Sequence, residues 1–247
     1  MRGILVRVVP AAILGTILTV GMGLAQDFQK SYTLPAGGVI RIGNVSGGVK
    51  IIGYNDSKIL VLAFKEGRDR DLLQIEDKSE ADRVVLGVRY PEMHNCNASV
   101  NFEVRVPSST NYNFDRITSV SGDVEVRNVT GQIRAESVSG DVLVTDVTGL
   151  VSARTVSGDV EARINRLQGA GDMRFDSISG SVVVTAPAGL DADVEMSTVS
   201  GSLKTDFPIE VREPRYGPGR SARGRLGSGS HNLRITTVSG RVSLIRG

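Results

Sequence analysis

The sequence predicts an all-β fold: a single-stranded parallel β-helix, or β-solenoid, with about 18 residues per coil. Three observations predict it. Val-Ser-Gly recurs at Val45, Val120, Val138, Val156, Val199 and Val238, with close relatives at Ile178 (Ile-Ser-Gly) and at Val129 and Val147 (Val-Thr-Gly). The central glycines stand at 122, 131, 140, 149 and 158, nine apart, and serine and threonine versions alternate, so the full period is eighteen. Between the glycines, aliphatic residues hold positions one, three and six of each nonapeptide: Val124, Val126, Val129; Ile133, Ala135, Val138; Val142, Val144, Val147; Val151, Ala153, Val156. Polar residues alternate with the first two, Glu125 and Arg127 in one unit and Arg134 and Glu136 in the next, which is strand alternation and not a helical face.

A magnitude favours stacked coils over separate hairpins. Three buried aliphatics contribute about 4.5 to 9 kcal/mol, whereas ordering nine backbones costs about 9 to 18 kcal/mol. One unit cannot stand alone, but stacked coils share strand hydrogen bonds and continuous interior columns. An antiparallel β-meander of nine-residue hairpins is the rival arrangement. In both, glycine supplies the backbone freedom of the turn, and Asn128, Ser137, Asp146 and Thr155 are expected to hydrogen-bond loose turn amides.

The elements follow in order. Residues 1–25 carry Arg2 and Arg7, an uncharged apolar run from Val8 to Leu24, and Gly23-Leu24-Ala25 at the close, which reads as a secretory signal peptide, with an uncleaved membrane anchor as the alternative. Residues 26–110 form strands continuous with the solenoid (VIRIGNVSGGVKIIGY, KILVLAFKE, RVVLGVRY and SVNFEVRVP), and the charged stretch between Glu66 and Asp82 holds a helical turn or an exposed hairpin. Residues 111–206 are the Ser-Gly-Asp repeat solenoid, with excursions after Ile164 and from Val182 to Ser202 expected to bulge at a corner. Residues 207–230, rich in Arg, Gly and Pro, read as a loop, and residues 231–247 as the closing strands. Exposed strand edges call for caps at both ends.

The repeats resemble a family. VNFEVRVPSSTNYNFDRITSVSGDVEVRNVTGQIRAESVSGDVLVTDVTG from Val100 to Gly149, the later Ser-Gly turns and the terminal ITTVSGRVSLI are similar to the exported bacterial proteins built on DUF4097-type β-strand repeats, often labelled as candidate adhesins. The resemblance implies a β-helical fold and an envelope or surface setting. It carries no catalytic residue.

Composition narrows the chemistry. The chain has 29 Lys and Arg against 27 Asp and Glu, and because two of the arginines lie in the first 25 residues the remainder is formally neutral, which argues against nucleic acid as a partner. A single cysteine forms no intrachain disulfide, and two histidines leave little for a metal cage or a catalytic triad. Asp123, Asp141 and Asp159 follow Ser-Gly at intervals of eighteen, so a solenoid sets them in a row about 5 Å apart. Such a row either satisfies turn amides or holds a hard cation such as Ca²⁺; no other cofactor is expected. Arg212, Arg215, Arg220, Arg223 and Arg225 crowd the Pro/Gly-rich loop and could meet an anionic envelope polymer or lipid headgroup. Met93-His94-Asn95-Cys96 brings soft copper-type ligands together, although a small buried thiol explains Cys96 as well.

The expected function is therefore non-catalytic: an interaction, adhesin-like or structural element of the cell envelope, exported to the periplasm or surface, with no transmembrane domain in the mature chain. Its partner would be an envelope protein, a glycan or an anionic lipid. An envelope-stress sensor component differs only in the partner to which the repeats are presented. A polysaccharide-acting β-helix enzyme is the third reading, disfavoured by the absence of Trp and by acids that are spaced rather than clustered.

Overall fold

A computed structural model describes residues 27–92, 96–212 and 218–247, so the leader at 1–25 lies outside the described residues. Among the described residues twenty strands follow one another: β1 (Phe28–Tyr32), β2 (Val39–Gly43), β3 (Val49–Tyr54), β4 (Ile59–Glu66), β5 (Gln74–Asp77), β6 (Arg83–Arg89), β7 (Ser99–Pro107), β8 (Asn111–Ser121), β9 (Val124–Arg127) and β10 (Thr130–Ser139). Then come β11 (Val142–Arg154), β12 (Val160–Arg166), β13 (Asp172–Ser179), β14 (Val182–Ala186), β15 (Ala192–Ser200), β16 (Leu203–Thr205), β17 (Val211–Arg212), β18 (Arg220–Leu226), β19 (His231–Ser239) and β20 (Val242–Arg246). The stretch between Glu66 and Asp82 supplies both a 3₁₀ turn at Arg70–Leu72 and the strand β5.

Consecutive coils run parallel, as the period predicts. Thr130 pairs with Thr148, Gly131 with Gly149, Val124 with Val142 and Val142 with Val160, each an offset of eighteen residues. Each coil gives one strand to each of two walls, which meet at a Ser-Gly corner. The first wall runs β5, β6, β2, β8, β10, the second half of β11, β13, β19, β15, β18, β17. The second runs β1, β4, β7, β3, β9, the first half of β11, β12, β14, β20, β16. Between them lies a single apolar core of stacked aliphatics, in which Val126, Ile133, Ala135, Val144, Ala153, Ala162, Val184 and Ile235 are fully or almost fully buried.

Order along the chain is not order along the stack. The coil made by β2 and β3 lies between the β6–β7 coil and the β8–β9 coil, and the coil made by β19 and β20 lies between β13–β14 and β15–β16. This corrects two expectations. Residues 231–247 do not close the end of the body; they fill its interior. The excursion from Val182 to Ser202 is not a bulge, because it holds β14 and β15, the second of which is displaced one rung outward to make room. Alternation within each strand survives this, since it records only which side faces the core.

Antiparallel strands supply caps: β4 and β1 beyond β7 on the second wall, β5 beyond β6 on the first, and β18 and β17 beyond β15 at the other end. The 207–230 segment is therefore not a plain loop. Its small and basic residues alternate in β18 as a strand must, with Ala222 and Leu226 inward and Arg223 and Arg225 outward. At the amino-terminal end Lys30 and Tyr32 both donate to the Asp77 carboxylate, at 2.5 and 3.0 Å, tying β1 to β5.

Burial alone would raise the Asp77 carboxyl, but the hydrogen bonds from Lys30, Ser79 and Tyr32 outweigh it and hold the group at about 2. At the far end Asp191 accepts from the Ser228 and Ser230 hydroxyls and from two backbone amides, and is depressed as well. A depressed carboxyl contributes stability above its unfolded value, about 3.9, and loses it as pH falls through the folded value. Thermal stability is thus expected to fall between about pH 4 and pH 2, and Asp77→Asn to flatten part of that slope in calorimetric scans. An unchanged slope in the variant would remove Asp77 from the account.

Candidate functional site

The corners show where the polar residues of the repeat are used. At Ser-Gly corners the residue before the valine turns inward and is buried: Ser119, Ser137, Thr155, Ser177, Thr237 and Thr198. Each hydroxyl donates to the carbonyl of a corner glycine in the neighbouring coil, Gly47, Gly122, Gly140, Gly158, Gly180 and Gly240 respectively, at 2.8 to 3.1 Å. The last carbonyl of the column, that of Gly201, is met by the Arg220 guanidinium at 2.7 Å. The hydroxyls expected to bond turn amides thus bond turn carbonyls, one coil away. Removing one leaves a part-buried carbonyl without its partner, so Thr155→Val is expected to cost about 1 to 3 kcal/mol in denaturant titrations.

A second ladder runs beside the first. The Asp123 carboxylate accepts from the Asp141 amide at 2.9 Å, Asp141 from the Asp159 amide at 2.8 Å and Asp159 from the Ser181 amide at 2.7 Å. The structure therefore does stack these aspartates in a row, and spends one oxygen of each on the next coil. Among the described residues no group of three His, Cys, Asp or Glu is arranged to hold a metal ion. The ladder needs an acceptor and not a charge. Asp141→Asn is expected to keep the melting temperature while Asp141→Ala lowers stability by about 1 kcal/mol, and equal losses in both would contradict the ladder.

The valines of the two corner types part company. Val129 and Val147, at Thr-Gly corners, are buried as expected, because Asn128 and Asp146 before them adopt positive φ of 54° and 55° and swing the next side chain inward. Val138 and Val156, at Ser-Gly corners, were expected inside and are 44% and 41% exposed. The inward place is already taken by Ser137 and Thr155.

The arginines predicted as a free cluster are divided among jobs. Arg223 pairs with Glu195 at 2.5 Å and Arg225 with Asp193 at 2.7 Å, both across the β15–β18 pairing, and Arg212 lies 3.7 Å from Glu210. Arg220 caps the glycine column, and Arg215 lies outside the described residues. Of the copper-type group, Met93, His94 and Asn95 also lie outside them, and Cys96 is a half-buried free thiol packed against the core.

What the fold does bring together is a charged trough of about 510 Å³ on the outer face of the first wall. Asp172, Arg174, Asp193, Glu195, Arg223 and Arg234 form its rim, and its floor is the backbone of β13, β19, β15 and β18. One rung across it reads Arg174, Arg234, Glu195, Arg223. Arg174 is held by Asp176 at 2.5 Å and Asn232 donates to Asp172 at 2.8 Å, while Arg234 is exposed and makes no ion pair among the described residues. Sequence reasoning reached Arg223 but missed the rest. Outward alternation marks each residue, yet nothing in the sequence says that β19 lies between β13 and β15.

The family model for the Toastrack DUF4097 domain matches residues 103–245, more than half of the chain. The chain belongs to the Toastrack DUF4097 family. The Toastrack match begins within β7 and ends within β20, so it spans the Ser-Gly corners from Val120 onward, the aspartate ladder, all of the hydroxyl ladder but its Gly47 end, and the trough, and the β2–β3 coil extends the same stack. Among solved structures, a candidate cell adhesion protein from Clostridium sporogenes is 10% identical, covering 89% of this chain and 99% of its own, with a TM-score of 0.44. A candidate adhesin from Bacteroides fragilis is 13% identical, covering 89% and 96%, with a TM-score of 0.35. No curated protein matches the chain. No helix among the described residues is long and apolar enough to cross a membrane.

Proposed function

We propose that the chain is a non-catalytic, exported element of the bacterial cell envelope that works by displaying a rigid surface, with the trough of the first wall as its contact site. One observation carries this reading: the hydroxyl and carboxylate groups of the repeat serve as joints between coils, so the recurring chemistry of the sequence is consumed in holding the shape. The polar groups left outward on β13, β19, β15 and β18 carry charges of both signs within a few rungs. Such a surface suits a polymer that offers both hydroxyls and charges, such as an envelope glycan or an acidic peptide segment, and Arg234 is the residue best placed to meet a carboxylate or phosphate on it.

The apolar leader with its two arginines supports export. The test is capture from envelope extract on the immobilised chain, compared with an Arg174→Ala/Arg234→Ala variant of unchanged melting temperature. A partner retained by the native chain and lost by the variant is expected. Retention of every partner by the variant would remove the trough from the function, and turnover of an envelope glycan by the native chain would replace display with catalysis.

A further inference from the structure

Nine large hydrophobic side chains are exposed among the described residues, and seven of them stand in one column: Val45, Val120, Val138, Val156, Ile178, Val238 and Val199, each 41 to 51% exposed. Pairing of the adjacent serines fixes the order, Ser46 to Ser121 to Ser139 to Ser157 to Ser179 to Ser239 to Ser200, so the column follows the stack and not the chain. At the strand spacing of about 4.8 Å it is roughly 29 Å long. The core does not need these residues, because the inward position at each of these corners is filled by a hydroxyl or, before Val45, by Asn44.

We infer that this valine ridge is the interface of a symmetric dimer, in which two copies lay their ridges together with the stacks antiparallel. Area supports a second copy. The aliphatic column offers on the order of 500 Å² per molecule, at the top of what a monomer ordinarily leaves in one patch. With the exposed serine column beside it, two copies bury on the order of 1,500 Å², within the range of about 1,200 to 2,000 Å² of stable interfaces. Shape supports it too, because both ridges carry the same repeat and their β-branched side chains can interdigitate along the whole length.

Charge selects the direction. Beyond the serines runs the carboxylate column Asp123, Asp141 and Asp159, continued toward the other end by Ser181, the exposed Arg241 and Ser202. A two-fold axis perpendicular to the stack brings Arg241 of each copy against Asp123 of the other, two opposite-charge contacts against the one like-charge contact where Asp159 meets its counterpart at the axis. The same operation sets Val156, the middle residue of the seven, beside its own counterpart and Val45 beside Val199 of the other copy. The inference does not depend on what the trough binds.

Sedimentation velocity on the purified chain is expected to show a dimer at micromolar concentration, and Val138→Ser/Val156→Ser to weaken it at least about tenfold with little change in the melting temperature. In a Cys96→Ala background, oxidation is expected to cross-link Val156→Cys with itself and Val45→Cys only when mixed with Val199→Cys. A monomer at 100 micromolar, or a dimer that survives the double serine variant, overturns the proposal. Self-cross-linking of Val45→Cys shows parallel ridges and overturns the antiparallel arrangement. If the chain is monomeric and an envelope protein is instead lost with the serine variant, the ridge serves a different partner and the dimer is wrong, while the trough is judged separately by its own arginine variants.

Discussion

A chain ending at Gly229 is expected to lose its cooperative unfolding transition altogether. The residues removed follow the rest of the stack in sequence, yet β19 and β20 lie inside it, each hydrogen-bonded on both edges. Their inward side chains Leu233, Ile235, Val242 and Leu244 are at most 1% exposed, and burying four such residues contributes about 6 to 12 kcal/mol. That is comparable with the whole stability of an ordinary domain, about 5 to 15 kcal/mol. In a solenoid threaded in order, trimming one terminal coil merely moves the end inward by a rung. Here it excises an inner layer, strips a partner edge from β13, β14, β15 and β16, and takes away the Thr237 hydroxyl that serves the Gly180 carbonyl. Circular dichroism melts and limited proteolysis would show the difference. A sharp melt near that of the full chain would mean that β15 closes directly on β13, and the argument from threading would fail.

The same threading marks the limit of what the sequence discloses. Strand alternation, the period of eighteen and the parallel pairing of 111–166 are legible because each neighbour in the stack is also the next unit in the chain. The interleaved coils β2–β3 and β19–β20 are not, because a repeat motif identifies a rung without saying which rung it is. The exposed ridge was hidden for a different reason. Val-Ser-Gly and Val-Thr-Gly align perfectly as nonapeptides, and the signal that separates them lies one residue earlier: Ser137 and Thr155 before the exposed valines, Asn128 and Asp146 before the buried ones. Asn and Asp tolerate the left-handed region and allow the chain to kink, whereas Ser and Thr offer a hydroxyl small enough to enter the core and bond a carbonyl there. The Arg-rich segment misled because its Gly and Pro content suggests a loop, while the alternation Ser221, Arg223, Arg225 against Ala222, Leu226 already described a capping strand.

Gly149→Ala is expected to be among the most damaging single substitutions in the repeat, at about 3 to 4 kcal/mol. Gly149 lies at a Thr-Gly corner with φ of +142°, and a Cβ there would fall 1.9 Å from the Gly131 carbonyl oxygen. That oxygen cannot retreat. Gly131 is itself pressed against the next coil, where its own Cβ position lies 1.8 Å from the Tyr112 carbonyl, so the three backbones form a close-packed column with no flexible side chain to absorb a shift. Relief requires the coils to part, which stretches the strand pairing on both sides of the corner. Gly189→Ala is the control, since nothing lies within 4 Å of a Cβ at that position and its φ is not positive. It is expected to change stability by less than about 0.5 kcal/mol. Denaturant titration of both variants against the native chain decides the matter. A loss below about 1 kcal/mol for Gly149→Ala, or equal losses for the two, would show that the corners are held apart more loosely than the stacked backbones imply.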